Sequence, residues 1–272
     1  MSKKKKVLII ALAVLLTLIV LAIVLMFTTF SLKKLEVEFE TTTSYDSTLL
    51  QEEISQNADV EFGKSIFFVN RSKTIESVEQ QYPNLKVINL EYKFPNKMIV
   101  HLAQRQELFA FLKDGKYLIT DEDLKVLYIQ DSFQSNQNNA ILVNQLTPIG
   151  NSEDIKLSSI LSFDTLGQAD FYAINYSLFE NNRTKIESMA YFKTIEFSQR
   201  TNPVSFESEK TLILESHDGF KYEIYNFQGG LTKKMNKLFA SDVALTPDLR
   251  NGHKMIVYEN SSGEIYAKLA TA

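Results

Sequence analysis

Three histidines and one acidic run are the side chains in this sequence best suited to metal or acid–base chemistry. His101, His217 and His253 lie far apart, and none belongs to an H-x-x-x-H or H-E-x-x-H pattern. Those spacings place two imidazoles on one metal ion, so their absence favours structural histidines. The acidic run is Asp121-Glu122-Asp123. Adjacent carboxylates on a strand point to opposite faces, and an EF-hand would need further oxygen ligands and a Gly at fixed positions, so we interpret the run as a solvated turn.

Other kinds of reaction chemistry are equally poorly represented. The sequence has no Cys, which excludes disulfides, thiolate metal sites and Cys nucleophiles. Neither G-x-S-x-G nor the phosphate-binding G-x-x-x-x-G-K-[ST] occurs. The sequence therefore predicts a non-catalytic protein with no metal and no cofactor.

An apolar segment near the N-terminus, Val7 to Phe27, contains no charge, no Pro and no Gly. As a helix it spans about 31 Å, which matches the roughly 30 Å hydrocarbon core of a bilayer. Four lysines, Lys3 to Lys6, precede it directly, and clustered lysines stay on the cytoplasmic side. We therefore predict a cytoplasmic basic tail at 1–6, one transmembrane helix at 7–29 and an extracytoplasmic remainder in the cell membrane.

Two alternatives to an uncleaved anchor remain open. A cleaved signal peptide has a shorter apolar region, about 7–15 residues, which ends at small residues in an A-x-A-like site. Here the run leads into residues 28–32, Thr-Thr-Phe-Ser-Leu, without that pattern. The other alternative is a buried helix of a soluble protein.

The charge of the chain restricts its partners. The sequence has 29 basic and 33 acidic residues, and all four lysines of the tail precede the apolar segment. The part beyond the helix keeps 25 basic and 33 acidic residues, a net charge of about −8. That excess of acid argues against nucleic acid and anionic lipid headgroups as partners.

After the anchor, the sequence predicts a compact α+β unit at 32–104. Alternation of apolar and charged residues indicates a strand from Leu35, and two short amphipathic helices follow. Ser44 or Asp46 can cap the first helix and Ser72 the second, while Ile66, Phe67 and Val69 are expected in the core. Two more strands, separated by Pro95-Asn96, complete the order strand, helix, helix, strand, strand.

The region 105–272 is predicted to be a mostly antiparallel β domain with a few helices. Turn dipeptides at Asp114-Gly115 and Asp218-Gly219 mark two hairpins. We expect one or two helices within 155–182, a strand at 186–199 and a basic helix opened by Gly229-Gly230. A closing hairpin is predicted around Ser261-Ser262-Gly263, with Met255 to Tyr258 and Glu264 to Leu269 as its strands.

One string of motifs contains P-N-L at Pro83, Y-K-F-P-N-K-M-I-V from Tyr92 and Y-L-I-T-D-E-D-L-K-V-L from Tyr117, with Arg105 and Ala110 between the last two. This string and the order of elements resemble the FtsQ/DivIB family of bacterial division proteins. Within residues 1–127 the sequence departs from the family pattern at Gln104, where the family has an acidic residue, at Leu108, where it has Pro, and at Leu124, where it has a turn Gly. Further along, residues 141–146 lack the family's Leu-Pro-x-x-x-Gly, and residues 256–259 stand where the family has I-D-L-R. The resemblance covers residues 1–127 best.

The resemblance implies a POTRA-like unit, a β domain and a divisome scaffold. It implies that the terminal part binds a small coiled-coil division protein of the FtsB/DivIC type, together with an FtsL-type partner, at the septum. A terminal strand at a sheet edge can accept a partner strand. The residues that this resemblance assigns by position to partner binding are Met255, Ile256, Val257, Tyr258, Glu259, Ile265 and Tyr266. A membrane-anchored wall enzyme and a POTRA-bearing secretion or adhesion accessory protein are the alternatives.

Overall fold

The computed structural model describes residues 3–40, 47–134, 140–151, 153–180 and 191–272. The chain divides into two compact units, Met1–Arg105 and Gln106–Ala272. The elements of the first unit are α1 (Lys3–Thr28), β1 (Lys34–Phe39), α2 (Ser47–Asn57), α3 (Arg71–Gln81), β2 (Leu85–Lys93) and β3 (Lys97–Gln104). Those of the second unit are β4 (Phe109–Lys113), β5 (Lys116–Thr120), β6 (Val126–Gln130), β7 (Ile141–Asn144), α4 (Thr165–Asn175) with a π-helical turn (Tyr176–Glu180), β8 (Phe192–Thr201), β9 (Ser208–Ser216), β10 (Lys221–Tyr225), α5 (Leu231–Asp242), α6 (Pro247–Arg250), β11 (His253–Glu259) and β12 (Ile265–Thr271).

Helix α1 carries the apolar segment, and no part of that segment is buried within the protein. Residues Ile9–Thr28 have a mean hydropathy of 3.3. The hydroxyls of Thr17 and Thr28 donate to the carbonyls of Ala13 and Val24, one turn earlier, at 2.9 and 2.7 Å. The helix therefore satisfies its own polar groups, as lipid requires, and its length and composition suit a single-pass membrane anchor.

The first unit after α1 builds a three-stranded sheet in the order β1-β3-β2. Strand β1 pairs in parallel with β3, and β2 pairs antiparallel with β3. The apolar side chains of the sheet pack on residues of the two helices, with Ile54 of α2 and Val78 of α3 fully buried. This order and the mixed pairing confirm the α+β unit expected from the sequence.

Two details of this unit differ from the sequence-based expectations. Asn70, rather than Ser72, caps α3, because the Asn70 side chain accepts the backbone N–H of Lys73 at 3.2 Å. Ser44 and Asp46 lie outside the described residues. Ile66 and Val69 are buried as predicted, but the prediction for Phe67 was wrong because more than half of its surface is exposed.

A buried ion pair closes the first unit. Arg105 Nη2 lies 2.9 Å from Glu79 Oε2, and the side chains are only 4% and 15% exposed. Arg105 Nε also donates to the Leu85 carbonyl, while Glu79 accepts the backbone N–H of Val87. These bonds join the end of β3 to α3 and to the start of β2.

The second unit is one nine-stranded sheet in the order β12-β11-β10-β9-β8-β7-β4-β5-β6. Three neighbouring pairs are parallel, namely β10 with β11, β7 with β4, and β7 with β8, and the other five are antiparallel. The mostly antiparallel β domain expected from the sequence is therefore confirmed.

The core of the second unit contains side chains from the strands and from α4 and α5. Phe109 and Phe111 of β4 contact Phe171 of α4, with ring centroids 4.8 and 5.9 Å apart. Met235 and Leu238 of α5 are buried in the same cluster. The two helices thereby supply much of the hydrophobic contact that this sheet needs.

Several elements of the second unit differ from those expected from the sequence. Strand β7 was not predicted, although it links β4 to β8 in the sheet, and neither was the short helix α6. The strand predicted at 186–199 corresponds to β8, which begins at Phe192; residues 186–190 lie outside the described part of the chain. Leu124 stands at the turn position where the family has Gly, and its φ of 62° is a conformation that favours Gly over residues with a side chain. Burial of the Leu124 side chain offsets this conformational cost.

Replacing Arg105 with Ala should destabilise the first unit by about 3–5 kcal/mol, because the largely buried Glu79 carboxylate would lose the charge-assisted bond that Arg105 supplies. Lys73→Ala is the matched control, since Lys73 and Asp59 form an exposed pair at 3.1 Å and such pairs contribute about 0–1 kcal/mol. Amide hydrogen exchange of β2 and β3, measured on the whole chain in detergent micelles, reports both changes. Equal effects of the two variants would contradict the prediction.

Candidate partner-binding edge

Strands β11 and β12 form a hairpin whose turn is built by Asn260. The Asn260 side chain accepts the backbone N–H groups of Ser262 and Glu264 at 3.0 and 2.9 Å. Gly263 has φ of 80°, a conformation that Gly adopts without strain. The turn therefore fixes which residue of β12 faces which residue of β11, from His253 opposite Thr271 to Glu259 opposite Ile265.

The hairpin leaves one side of β12 open. β12 stands at the end of the sheet order, and no strand among the described residues pairs with its outer side. Backbone bonds at both ends of the hairpin, from Asn260 N to Glu264 O and from Ala272 N to Gly252 O, set the ladder. Both bonds join directly opposite residues, and in an antiparallel ladder every second opposite pair is hydrogen-bonded. Ile265, Ala267 and Leu269 belong to the pairs in between, so they direct their N–H and C=O groups away from β11, toward the open edge.

One face of the hairpin belongs to the core. Met255 and Val257 of β11 are buried in the main hydrophobic cluster, and Ile265 and Ala267 of β12 pack against the same cluster. This packing holds β12 in place, so its outward backbone groups are presented by a fixed strand.

The other face of the hairpin carries aromatic and charged side chains. The rings of Tyr258 and Tyr266 stack with centroids 5.8 Å apart, and Lys268 Nζ lies 5.6 and 5.8 Å from those centroids. Tyr266 OH donates to the Glu264 carboxylate at 2.6 Å. Tyr258 is buried with Ile256 and Tyr225 in a second, smaller cluster.

A buried carboxylate organises this second face. Glu223 Oε1 lies 2.8 Å from Arg200 Nη1 and 3.1 Å from Lys254 Nζ, while Tyr225 OH donates to Oε2 at 2.8 Å. Burial, reinforced by the Glu223 carboxylate, raises the pKa of the Tyr225 hydroxyl, which therefore stays protonated as a donor. The network joins β8, β10 and β11 on the same face of the sheet as the aromatic pair.

A polar cluster holds the segment that leads into β11. Arg250 of α6 bonds to Asp242 of α5 at 2.5 Å and to Asp218 at 2.8 Å, and the hydroxyls of Tyr191 and Tyr222 also bond to Asp242. Burial raises the pKa of both tyrosines. Since β11 begins three residues after Arg250, this cluster fixes the entry of the hairpin strand.

The comparisons with known proteins bear on the first unit. The family model of the POTRA domain, FtsQ-type, matches residues 43–105. The chain carries an FtsQ-type POTRA domain. This finding supports the resemblance to the FtsQ/DivIB family, and it indicates a division-related scaffold that acts through protein–protein contacts. FtsQ-type POTRA proteins are generally non-catalytic. No curated protein shows a significant match to the chain.

Beyond the POTRA domain, the structure places the seven predicted binding residues in three different settings. Met255 and Val257 face the main core, and Ile256 and Tyr258 are buried in the small cluster on the opposite face. The remaining three, Glu259, Ile265 and Tyr266, lie at the tip and on β12, and Glu259 and Tyr266 are exposed. The hairpin brings all seven together, but only those three reach the open edge or the surface.

Two exposed residues of β12 were not among the predicted binding residues. Lys268 stands over the tyrosine pair, and Leu269 has an outward backbone and a partly exposed side chain. Both residues lie within Glu264 to Leu269, the closing strand that the sequence predicted, so the pattern placed them on this strand although the resemblance did not single them out.

The residues first considered for chemistry have structural surroundings. Asp121 Oδ1 accepts the backbone N–H groups of Asp123 and Lys125, each at 2.9 Å, and so forms a turn. His101 lies between Glu38 and Glu91 on the neighbouring strands of the POTRA domain, 3.6 and 3.4 Å away. Within the described part of the chain, no group of three or more His, Asp or Glu side chains could hold a metal ion.

Replacing Arg250 with Gln should raise the pKa of Asp218 toward its ordinary value of 3.8. Burial alone would raise this pKa, but hydrogen bonds from Ser216 and Phe220 and the charge of Arg250 lower it. The ionised carboxylate therefore stabilises the fold above its ordinary pKa, and this stabilisation is lost as pH falls through the lowered pKa. A carboxyl ¹³C NMR titration measures the shift.

Lys193→Gln is the matched control for this titration, since Lys193 lies 3.5 Å from Glu215 rather than beside Asp218. We expect the Asp218 pKa of this variant to equal that of the unmodified chain. An Arg250→Gln variant that titrates like this control would show that Arg250 does not act on Asp218.

Proposed function

We propose that this chain is a non-catalytic division scaffold, anchored in the cell membrane by α1 and enriched at the septum. The observation that carries the proposal is the FtsQ-type POTRA domain, which follows an exposed apolar helix in the same chain. In this proposal the lysine-rich tail stays in the cytoplasm, and both units lie on the far side of the membrane.

The second part of the proposal is that the edge of β12 binds a partner strand. Ile265, Ala267 and Leu269 offer outward backbone groups for β-augmentation, in which main-chain hydrogen bonds supply affinity. Tyr266 and Lys268 on one face, and Leu269 on the other, would supply side-chain specificity. A small coiled-coil protein of the FtsB/DivIC type, paired with an FtsL-type protein, is the proposed partner, and the resulting assembly would help regulate septal peptidoglycan synthesis.

Removing the whole hairpin would be a poor test of this site. A deletion of 254–269 takes Met255 and Val257 out of the main core, so lost binding would also follow from unfolding. A substitution that changes only the outward side of β12 separates the two effects.

Leu269→Pro should weaken partner binding about tenfold relative to Leu269→Ala, which corresponds to roughly 1.4 kcal/mol for one hydrogen bond. Both variants lose the Leu side chain, but only Pro removes the outward N–H. Isothermal titration of the chain in detergent with a DivIC-type partner ectodomain gives the two dissociation constants.

Amide exchange of β11 is the folding control for both variants, because the bonds from β12 to β11 come from Tyr266, Lys268 and Ala270 rather than from Leu269. Equal affinities for the Pro and Ala variants, with β11 protected in both, would rule out strand addition at this edge.

Depleting the chain from its host should produce filaments without septa, because the scaffold would no longer assemble the division proteins. Fluorescence microscopy of membrane and wall stains measures cell length and septum frequency. Re-expression of the unmodified chain should restore septation, whereas normal septation throughout depletion would refute the division role.

A further inference from the structure

Three phenylalanine rings contact one another at the surface of the first unit, and we call them the Phe patch: Phe30, which is half-buried, and the exposed Phe67 and Phe94. Their centroids are 5.5, 6.1 and 5.8 Å apart. Phe67 is 53% exposed and Phe94 61%, although aromatic rings that contact one another are usually buried. A group of large apolar side chains on a surface marks a place where something else binds.

The rings come from three separate segments, and backbone hydrogen bonds tie these segments together. Phe30 follows α1, Phe67 lies in the loop before α3, and Phe94 lies in the turn between β2 and β3. Ile66 N donates to Phe30 O at 2.8 Å, and Lys33 N donates to Asn96 O at 2.9 Å. The patch is therefore a built feature of the unit rather than a chance meeting of mobile side chains.

The patch lies where the chain leaves the apolar helix. Phe30 is two residues beyond Thr28, the last residue of α1, and its N–H still bonds to the Leu25 carbonyl at 3.2 Å. Two residues reach at most about 7 Å, and the headgroup region on each side of a bilayer is about 5–8 Å deep. If α1 crosses the bilayer, Phe30 must lie in or beside that region.

The charges around the patch suit a membrane surface. Six basic residues and one acidic residue lie within four positions of the three rings in the sequence: Lys33, Lys34, Lys64, Arg71, Lys93 and Lys97, and Glu91. Glu36 pairs with Lys34 and Lys97, and Glu61 pairs with Lys64, so this part of the unit has an excess of positive charge. That excess contrasts with the net charge of about −8 beyond the helix, and it matches the phosphates of lipid headgroups.

We propose that the Phe patch is a second membrane anchor, which inserts Phe67 and Phe94 at the boundary of headgroups and acyl chains while the surrounding lysines contact lipid phosphates. Aromatic and basic side chains at a membrane surface bind in this way. The patch holds the POTRA domain at a fixed orientation against the bilayer, whereas α1 alone would let the domain tilt relative to the membrane surface. The inference rests on α1 crossing the membrane, which the proposed function also requires.

The chain contains no Trp, so single substitutions give a unique fluorescent reporter at each chosen site. Phe67→Trp and Phe94→Trp report on the patch. Ile88→Trp is the matched control, because Ile88 is 44% exposed on β2 and lies about 20 Å along that strand from Phe94. Phe27→Trp, within α1, reports separately whether the helix is in the bilayer.

The experiment uses the full chain in nanodiscs of phosphatidylcholine and phosphatidylglycerol, with and without bromine on the upper acyl carbons. We expect brominated lipid to remove about half of the emission of Phe67→Trp and Phe94→Trp and almost none from Ile88→Trp. Phe27→Trp should be quenched in the brominated nanodiscs, and amide exchange of β3 checks that each variant is folded.

Patch reporters that behave like Ile88→Trp, while Phe27→Trp is quenched, would overturn the proposal. Patch reporters that are shielded from aqueous acrylamide but not quenched by brominated lipid would also overturn it, since another protein surface would then cover the rings. The purified chain contains no division partner, so the result does not depend on the scaffold role. Failure of Phe27→Trp to be quenched would overturn both the anchor and this inference.

Discussion

The apolar surface of α1 is the constraint on which the rest of the molecule depends. Its 20-residue apolar segment, with a mean hydropathy of 3.3 and no burial within the protein, has to be removed from water by something outside the chain. Each central Leu, Ile, Phe or Val favours insertion by about 0.3–0.6 kcal/mol, and the helix already satisfies its own backbone bonds. Once the helix is in a bilayer, the exit at Thr28 sets which surfaces of the next unit face the membrane.

The two units use their exposed apolar and backbone groups in different ways. The first unit exposes aromatic rings next to the membrane exit, where lipid could cover them. The second unit exposes a row of backbone groups on β12, while both faces of the same hairpin are held by packing. A strand fixed on one side and open on the other is suited to binding another strand.

The buried charged side chains described above have structural tasks. Arg105 closes the POTRA domain through Glu79, and Glu223 binds two cations and a tyrosine on β10, the strand next to the edge hairpin. Arg250 joins α5 and α6 ahead of β11. Buried charges need such partners because an unpaired one is costly to desolvate, and a group already held by two or three bonds is poorly placed to act as a free acid or base. This agrees with the role of a scaffold.

The sequence by itself determined the features that depend on neighbours along the chain. The apolar run predicted α1, period-two alternation predicted β1, β2 and β3, and the dipeptides Asp114-Gly115 and Asp218-Gly219 predicted turns, because backbone geometry and local hydrogen bonds decide these elements. The motif string from Tyr92 also pointed to the POTRA domain, because its residues follow one another along the chain.

Tertiary structure decided everything that joins residues far apart in the chain. It placed β7 between β4 and β8 and paired β10 in parallel with β11. It also buried the side chains of Met255 and Val257 in the main core and directed the backbone groups of Leu269 toward the open edge of the sheet. It also moved Phe67 from its predicted core position to the surface beside Phe30 and Phe94. Short-range pattern cannot specify these outcomes, because which face of a strand is buried and which edge stays open depend on the neighbours that the whole fold supplies.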